Sequence, residues 1–350
     1  MELLELVTLG TEKKASDIHI TVGMPPILRI NGDLVPIGET PLMPNDTEEL
    51  VKQALTDRLL EELKNKGEID FSYSSPGKGR YRVNAYKQRG SYAMALRIIP
   101  LEIPTIKSLG LPPVIEELAR IRRGIILVTG PTGSGKSTTL ASIIDQINTE
   151  KSCHILTLED PIEYLHKHKK SIVNQREVGN DSQSFSNALR AALRQDPDVI
   201  LVGEMRDLET ISIALTAAET GHLVLSTLHT SGAAKTIDRV IDVFPPHQQQ
   251  QVRVQMSSVL QAVISQQLIP RADDKGRVGA YEIMVATPAI RNLIREDKIH
   301  QIDTAIQTGG KQKMQTMDSC IIDLYRKGFI TRDMALMRSI NKDEMRKFIG

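Results

Sequence analysis

Gly130-Pro131-Thr132-Gly133-Ser134-Gly135-Lys136-Ser137-Thr138 matches the phosphate-loop pattern G-x-x-x-x-G-K-[ST] at every fixed position. A buried-strand pattern, Gly124 to Thr129, precedes it, and a helical pattern, Ser137 to Asn148, follows it. Glycines let such a loop bend until backbone N–H groups converge on phosphate oxygens. The helix adds the positive end of its dipole. In that geometry Lys136 reaches the β- and γ-phosphates and Ser137 ligates Mg²⁺. Gly130 to Thr138 is therefore the candidate nucleotide-binding loop.

The surrounding sequence has the same grammar. Ile155 to Leu158, Val199 to Val202 and Leu223 to Thr227 are short, mostly continuous apolar runs, the pattern of strands buried on both faces of a parallel sheet. Helical patterns at Ser184 to Gln195 and Leu208 to Thr220 separate them. Asp207 is a good N-cap for the second, and Gly221 a good residue just past its end. The expectation is a doubly wound α/β domain. From Pro246 onward the pattern reads as mostly helical, with one hairpin around Asp273-Asp274-Lys275-Gly276. Neither an internal repeat nor a low-complexity tract is present.

A phosphate loop needs acidic partners. Asp198-Val199-Ile200-Leu201-Val202-Gly203-Glu204 is an apolar strand ending in a carboxylate. Gly203 stands where a metal-linked Asp is usual, which leaves Glu204 as the metal candidate, directly or through water. Thr157-Leu158-Glu159-Asp160-Pro161-Ile162-Glu163-Tyr164 puts three carboxylates just beyond another buried strand. One of them is placed to orient the attacking water, and spacing leaves Glu159, Asp160 and Glu163 all open.

His222 and His229 bracket the strand Leu223 to Leu228. Seven residues of ideal strand separate them by roughly 23 Å and send them to opposite faces, so a shared metal is excluded. His229 stands at the carboxyl end, near the γ-phosphate position. It is placed to sense that phosphate, to relay to a neighbouring subunit, or to stand solvated. His222, after Gly221, has two readings of equal weight: a contact with the negative end of the preceding helix, and a functional role.

The first hundred residues read as a small α+β domain. It has a helix at Glu2 to Thr11, a strand at Asp17 to Thr21, and a hairpin of Ile27 to Ile30 and Leu34 to Ile37 about Asn31-Gly32-Asp33. A single helix from about Asn45 to Lys66 carries Leu50, Ala54, Leu55, Leu59 and Leu63 at helical spacing. Three strands follow from Phe71 to Ile99, broken at Ser75-Pro76-Gly77-Lys78-Gly79 and Gln88-Arg89-Gly90. Pro100 to Pro113, with four prolines, reads as a linker. The expected organisation is residues 1–99, a linker at 100–113, and an ATPase-type domain at 114–350.

Composition narrows the partners. Across 350 residues, 44 Lys+Arg against 43 Asp+Glu leave a formal net charge of +1, unlike the basic surface of a nucleic-acid-coating protein. Five Phe, seven Tyr and no Trp supply few stacking platforms for single strands. Two cysteines, Cys153 and Cys320, exclude a disulfide scaffold or a four-Cys zinc site and fit a reducing cytosol. No apolar stretch approaches the length of a membrane span, and the acidic Met1-Glu2-Leu3-Leu4-Glu5 does not read as a secretory signal.

These residues resemble the secretion ATPase superfamily, and most closely the PilT family of type IV pilus retraction motors, over essentially the whole chain. Gly130 to Thr138 is similar to its Walker A, Thr157 to Tyr164 to its Asp box, Val199 to Glu204 to its Walker B and Gly221 to His229 to its His box. Ala15 to His19 and Gly79 to Asn84 match its N-terminal domain. Ala289-Ile290-Arg291-Asn292-Leu293-Ile294-Arg295-Glu296 matches the AIRNLIRE box of retraction ATPases. The resemblance implies a PAS-like N-terminal α+β domain joined to a RecA-like P-loop ATPase domain, assembled as a homo-hexamer that binds ATP and Mg²⁺.

It also implies Glu163 as the catalytic base. Arginines of the N-terminal domain close over the nucleotide of the ring in this superfamily, and Arg82 and Arg97 sit where those are expected. The catalytic set is thus Glu163, Glu204, Lys136, His229, Arg82 and Arg97; the metal set is Ser137 and Glu204. The implied protein is cytoplasmic, peripheral at the inner face of the inner membrane through a pilus platform protein, and moves pilin rather than nucleic acid. In the AIRNLIRE segment, Thr287 and Pro288 suit N-cap and N1. Ala289, Ile290, Leu293 and Ile294 form an apolar face, and the polar face is expected to make an intramolecular or partner contact. The alternatives are a PilU-like paralogue, an extension or type II secretion ATPase (these carry a further N-terminal domain and a four-Cys zinc insert), a RecA-like nucleic-acid translocase, and a nucleotide-dependent interaction module.

Overall fold

A computed structural model describes residues 2–30, 32–75, 79–99 and 102–349. Parts of three sequence features lie outside these: Asn31 of the first hairpin turn, Pro76 to Lys78 of the strand break, and Pro100 and Leu101 of the linker. The chain divides into two compact units, Met1–Glu102 with Glu163–Leu165, and Ile103–Ile162 with His166–Gly350.

The first unit begins with helix α1 (Leu3–Glu12) and three short strands, β1 (Asp17–Ile20), β2 (Ile27–Ile30) and β3 (Asp33–Pro36). Helices α2 (Pro44–Ala54) and α3 (Asp57–Lys66) precede β4 (Glu68–Ser75), β5 (Gly79–Gln88) and β6 (Ser91–Ile98). The six strands form one sheet in the order β3-β2-β1-β6-β5-β4, every pairing antiparallel. Helix residues Leu3, Leu6, Val7, Leu50, Val51 and Leu63 pack on Ile18, Ile20, Leu28, Tyr81, Val83 and Leu96 to make its core. The single helix expected over Asn45 to Lys66 is two. Leu55 is extended (φ −104°, ψ 144°), and Thr56 opens the next helix from N-cap position with Asp57 in its first turn. A Thr-Asp pair favours a new helix start over continuation, which the apolar spacing concealed.

The second unit contains α4 (Val114–Ala119), β7 (Gly124–Thr129), α5 (Lys136–Glu150), β8 (His154–Glu159), β9 (Ile172–Glu177), α6 (Phe185–Ala192), β10 (Val199–Val202), α7 (Leu208–Glu219) and β11 (Leu223–Leu228). After these come α8 (Ala233–Asp242), α9 (Pro246–Val259), β12 (Leu260–Pro270), β13 (Arg277–Val285), α10 (Pro288–Arg295), α11 (Ile302–Thr308), α12 (Met317–Arg326), α13 (Arg332–Arg338) and α14 (Lys342–Ile349). Seven strands make one sheet in the order β13-β12-β7-β11-β10-β8-β9. All neighbours are parallel except the antiparallel edge pair β12 and β13.

The continuous apolar runs follow from two-sided burial. In β7, Ile125 and Leu127 face one core with α6 to α9; Ile126 and Val128 face the other, with α4 and α5. Asp207 caps α7, accepting from the Thr210 N–H at 2.8 Å, and Gly221 follows with φ +112°. Among the described residues, no helix is long and apolar enough to cross a membrane.

After Pro246 the region is mostly helical, as expected, and β12 and β13 are the two arms of the hairpin expected around Asp273 to Gly276. They are long strands that extend the central sheet beside β7. β12 carries Ser265, Gln266 and Gln267 where a sheet strand usually carries apolar residues, so it lacks both strand patterns, alternating and continuous. Short α4 and the polar edge strand β9 also carry weak signals.

Candidate functional site

Because β7, β8, β10 and β11 are parallel, their carboxyl ends share one sheet edge. Leu228 pairs with Thr129, and Val202 pairs with both Ser226 and Leu158. The residues that follow therefore gather there: Gly130 after β7, Asp160 after β8, Gly203 and Glu204 after β10, and His229 after β11. Chain order jumps from β7 across two strand positions to β8, and such switch points are where α/β sheets bind ligands.

The phosphate loop is tightly seated. Gly130 has φ +138°, and a Cβ there would stand 2.1 Å from the Gln266 carbonyl oxygen; only glycine fits. Gly135, at φ +88° in the left-handed region, is the N-cap of α5. Lys136 is buried, 9 % exposed. Its ammonium donates to the carbonyls of Gly130 (2.8 Å) and Pro131 (3.1 Å), so the charge is poised over its own loop. Ser137 and Thr138 are half-buried in the first turn of α5.

Glu204 and His229 are brought together. The Glu204 carboxylate lies 2.7 Å from Arg206 Nε and 3.5 Å from His229 Nε2. Gly203 has a physical reason to lack a side chain: a Cβ would press on the Leu158 carbonyl at 3.1 Å and the Phe185 ring at 3.4 Å. His222, at the opposite end of β11, lies 2.9 Å from the Ala217 carbonyl through Nδ1. This is the helix-end contact.

The three carboxylates after β8 differ. Glu159 accepts from the Thr157 hydroxyl (2.6 Å) and the Gln175 amide (3.0 Å). Asp160 and Glu163 are exposed, and Glu163 groups with the first unit. Glu177, 3 % exposed at the end of β9, accepts from the Ile162 N–H at 3.1 Å. A buried carboxylate thus holds the backbone just before Glu163. Nothing in the local pattern of Glu177 marks it from sequence.

In the first unit, Arg82 pairs across strands with Arg97, and Arg97 with Asp17. Both arginines are exposed. Arg97 Nε donates to Asp17 at 3.1 Å, so one row of the sheet carries both arginines side by side.

The AIRNLIRE helix, α10, starts as expected: Thr287 accepts from the Ile290 N–H. Ile290 and Ile294 are buried and Leu293 half-buried, but Ala289 is exposed, one position beyond the stripe that packs. Arg291 makes an intramolecular contact. It donates to the carbonyls of Ser257 (2.7 Å) and Ser258 (2.8 Å) in the last turn of α9, where a cation complements the helix end.

His166 yields a stability prediction. Burial pushes its imidazole down to about 4, while its backbone N–H donates to Gln175 at 2.8 Å. Between pH 4 and 6.5 the unfolded chain binds this proton more readily than the folded one. The stability from a neutral His166 is thus full above 6.5 and lost as pH falls toward 4. Urea unfolding at pH 5 should show about 2 kcal/mol less stability than at pH 7 from this group. The same comparison on His166→Gln should lack that increment, and an identical pH slope in the variant refutes the assignment.

A glycine-rich loop of this build, leaving the switch point of a parallel sheet, is what P-loop ATPases use to hold a triphosphate. The second unit is such a domain, RecA-like in fold. The family of type II/IV secretion system proteins matches residues 94–333. The type IV pilus retractation ATPase PilT of Pseudomonas aeruginosa is 52% identical over 335 residues, 96% of this chain and 97% of that protein. The type IV pilus ATPase PilU of the same organism is 41% identical over 349 residues, covering 100% and 91%. A crystal structure of the pilus retraction motor PilT with bound ADP superposes with a TM-score of 0.93 at 52% identity, covering 99% of both chains. The chain belongs to the PilT family of type IV pilus retraction ATPases.

Proposed function

We propose that this chain is an ATPase motor that hydrolyses ATP to ADP and phosphate and powers type IV pilus retraction, removing pilin and driving twitching motility. The observation that carries this reading is the fully formed phosphate loop, with Lys136 buried over it, in a chain 52% identical to a pilus retractation ATPase over nearly its full length. Identity to the PilU relative is lower, at 41%, which favours the PilT-like reading.

In the proposed mechanism the loop Gly130 to Thr138 cradles the phosphates, and Lys136 leaves its two loop carbonyls for the γ-phosphate. Glu163 orients or deprotonates the attacking water. His229 and Glu204 sense the γ-phosphate, and Arg82 and Arg97 supply fixed positive charge to a nucleotide in the ring. Ser137 and Glu204 offer a hydroxyl and a carboxylate, a hard-oxygen pair that suits Mg²⁺, which takes one or two protein oxygens and leaves the rest to phosphates and water; these two would hold it. When bound, Mg²⁺ neutralises charge on the β- and γ-oxygens. The partners are five further copies in a hexameric ring and an inner-membrane platform protein, with the motor at the cytoplasmic face.

Deletion of the gene in its host should abolish twitching and leave non-retracting pili. Purified protein should hydrolyse ATP equally with and without DNA or RNA. Strong stimulation by nucleic acid, or normal retraction in the deletion strain, would overturn the reading in favour of a nucleic-acid translocase or another secretion ATPase.

A further inference from the structure

β12, the first arm of the hairpin, carries three consecutive polar side chains, Ser265, Gln266 and Gln267. Ser265 and Gln266 are buried, 2 % and 3 % exposed. Each makes a different connection. The Ser265 hydroxyl accepts from the Gly232 N–H at 2.9 Å, just before α8. The Gln266 amide nitrogen donates to the Ser134 carbonyl at 2.7 Å, and its oxygen accepts from the Thr139 hydroxyl at 2.9 Å. Gln267 turns the other way and donates to the Arg338 carbonyl at 3.2 Å.

Gln266 thus touches the phosphate loop at two places and the helix that follows it at a third. Its carbonyl lies against Gly130, its amide nitrogen holds Ser134, and its amide oxygen is fixed by Thr139, one turn into α5. A glutamine amide presents an NH2 donor group and a carbonyl acceptor in a single plane. Thr139 takes the acceptor and so orients the donor toward Ser134. Peptide units are planar and trans. Holding the Ser134 carbonyl toward β12 therefore sends the Gly135 N–H the opposite way.

We infer that Gln266 is a positioning residue of the ATPase site, a buried staple that holds the phosphate loop with its amides converged before nucleotide arrives. Glycine-rich backbone otherwise loses much conformational freedom on ordering, and that cost falls on nucleotide binding if the loop is not already fixed. The inference rests on the ATPase reading and assigns no contact between Gln266 and nucleotide.

The test is titration of the full-length protein with ADP and Mg²⁺, beside thermal unfolding of the same ADP-free samples. Gln266→Met keeps length and loses both side-chain hydrogen bonds. Thr139→Val removes the hydroxyl that orients the amide, and Thr139→Ser restores it. Gln267→Met is the control on the other side of the strand. Q266M should weaken ADP binding about tenfold or more, the scale of the two buried hydrogen bonds lost. T139V should weaken it by a smaller factor, T139S should bind like wild type, and Q267M should be unchanged. A folded Q266M with wild-type ADP affinity overturns the inference. If Q266M does not fold, T139V and T139S decide, and equal affinity in the two overturns it. Wild-type protein that neither binds ADP nor hydrolyses ATP removes the ATPase reading instead, so the two failures are distinct.

Discussion

Glu163→Gln is expected to lower ATP turnover of the full-length protein by about 10²–10⁴-fold, the range a positioned general base contributes. Nucleotide binding should be nearly unchanged. The amide keeps the size and the exposure of the carboxylate but cannot take a proton from water. Binding depends on the phosphate loop, which Glu163 does not build. Single-turnover kinetics beside ADP titration separates the two quantities.

Glu159 and Asp160 are the competing candidates, and the surroundings of Glu159 argue against it. Its carboxylate already accepts from Thr157 and Gln175, which holds it on the sheet edge. Both donors meet one oxygen, Oε1, which the amide oxygen of Glu159→Gln can replace, so turnover should fall far less than in Glu163→Gln. A variant set in which E159Q loses turnover with intact binding, and E163Q does not, reverses the assignment. Glu177 supplies a check on the same loop. Its buried carboxylate holds the Ile162 N–H, so its loss should reduce turnover by moving Glu163.

Much of this was legible in the residues themselves. The phosphate loop, the buried runs of β7, β8, β10 and β11, and the caps Asp207 and Thr287 each have a local pattern with one physical meaning. What escaped depends on distant partners. Ser265 and Gln266 are polar residues in a central strand, and their burial makes sense only beside the Gly232 N–H and the Ser134 carbonyl. Glu177 reads as an ordinary edge-strand carboxylate until Ile162 is placed against it. The break at Leu55-Thr56 was hidden because α2 and α3 bury their apolar faces in one core, so the spacing looks continuous. The resemblance, rather than spacing, singled out Glu163 among three acids.

Lys136→Ala should have the second large effect, of different character. Removing one charge-stabilising donor from a preorganised site costs on the order of 10²–10³ in turnover. Here the loss should extend to binding, because the proposed contact of the lysine with the β- and γ-phosphates is made in the ground state as well. ADP affinity should therefore fall together with turnover, whereas E163Q separates them. The free protein should also respond. Lys136 is buried and satisfies the carbonyls of Gly130 and Pro131, and unsatisfied buried acceptors cost roughly 1–3 kcal/mol each. Solvent reaches Pro131, which is exposed, so the Gly130 carbonyl bears most of that cost. Lys136→Met, of similar length, fills the same space without a charge and separates packing from electrostatics. If packing were the role, K136M would bind ADP like wild type. If charge is the role, K136M and K136A fail alike in binding and turnover, and only their melting temperatures differ. The second outcome is expected, because the ammonium donates to the Gly130 and Pro131 carbonyls of the proposed nucleotide loop, where a methionine supplies no donor.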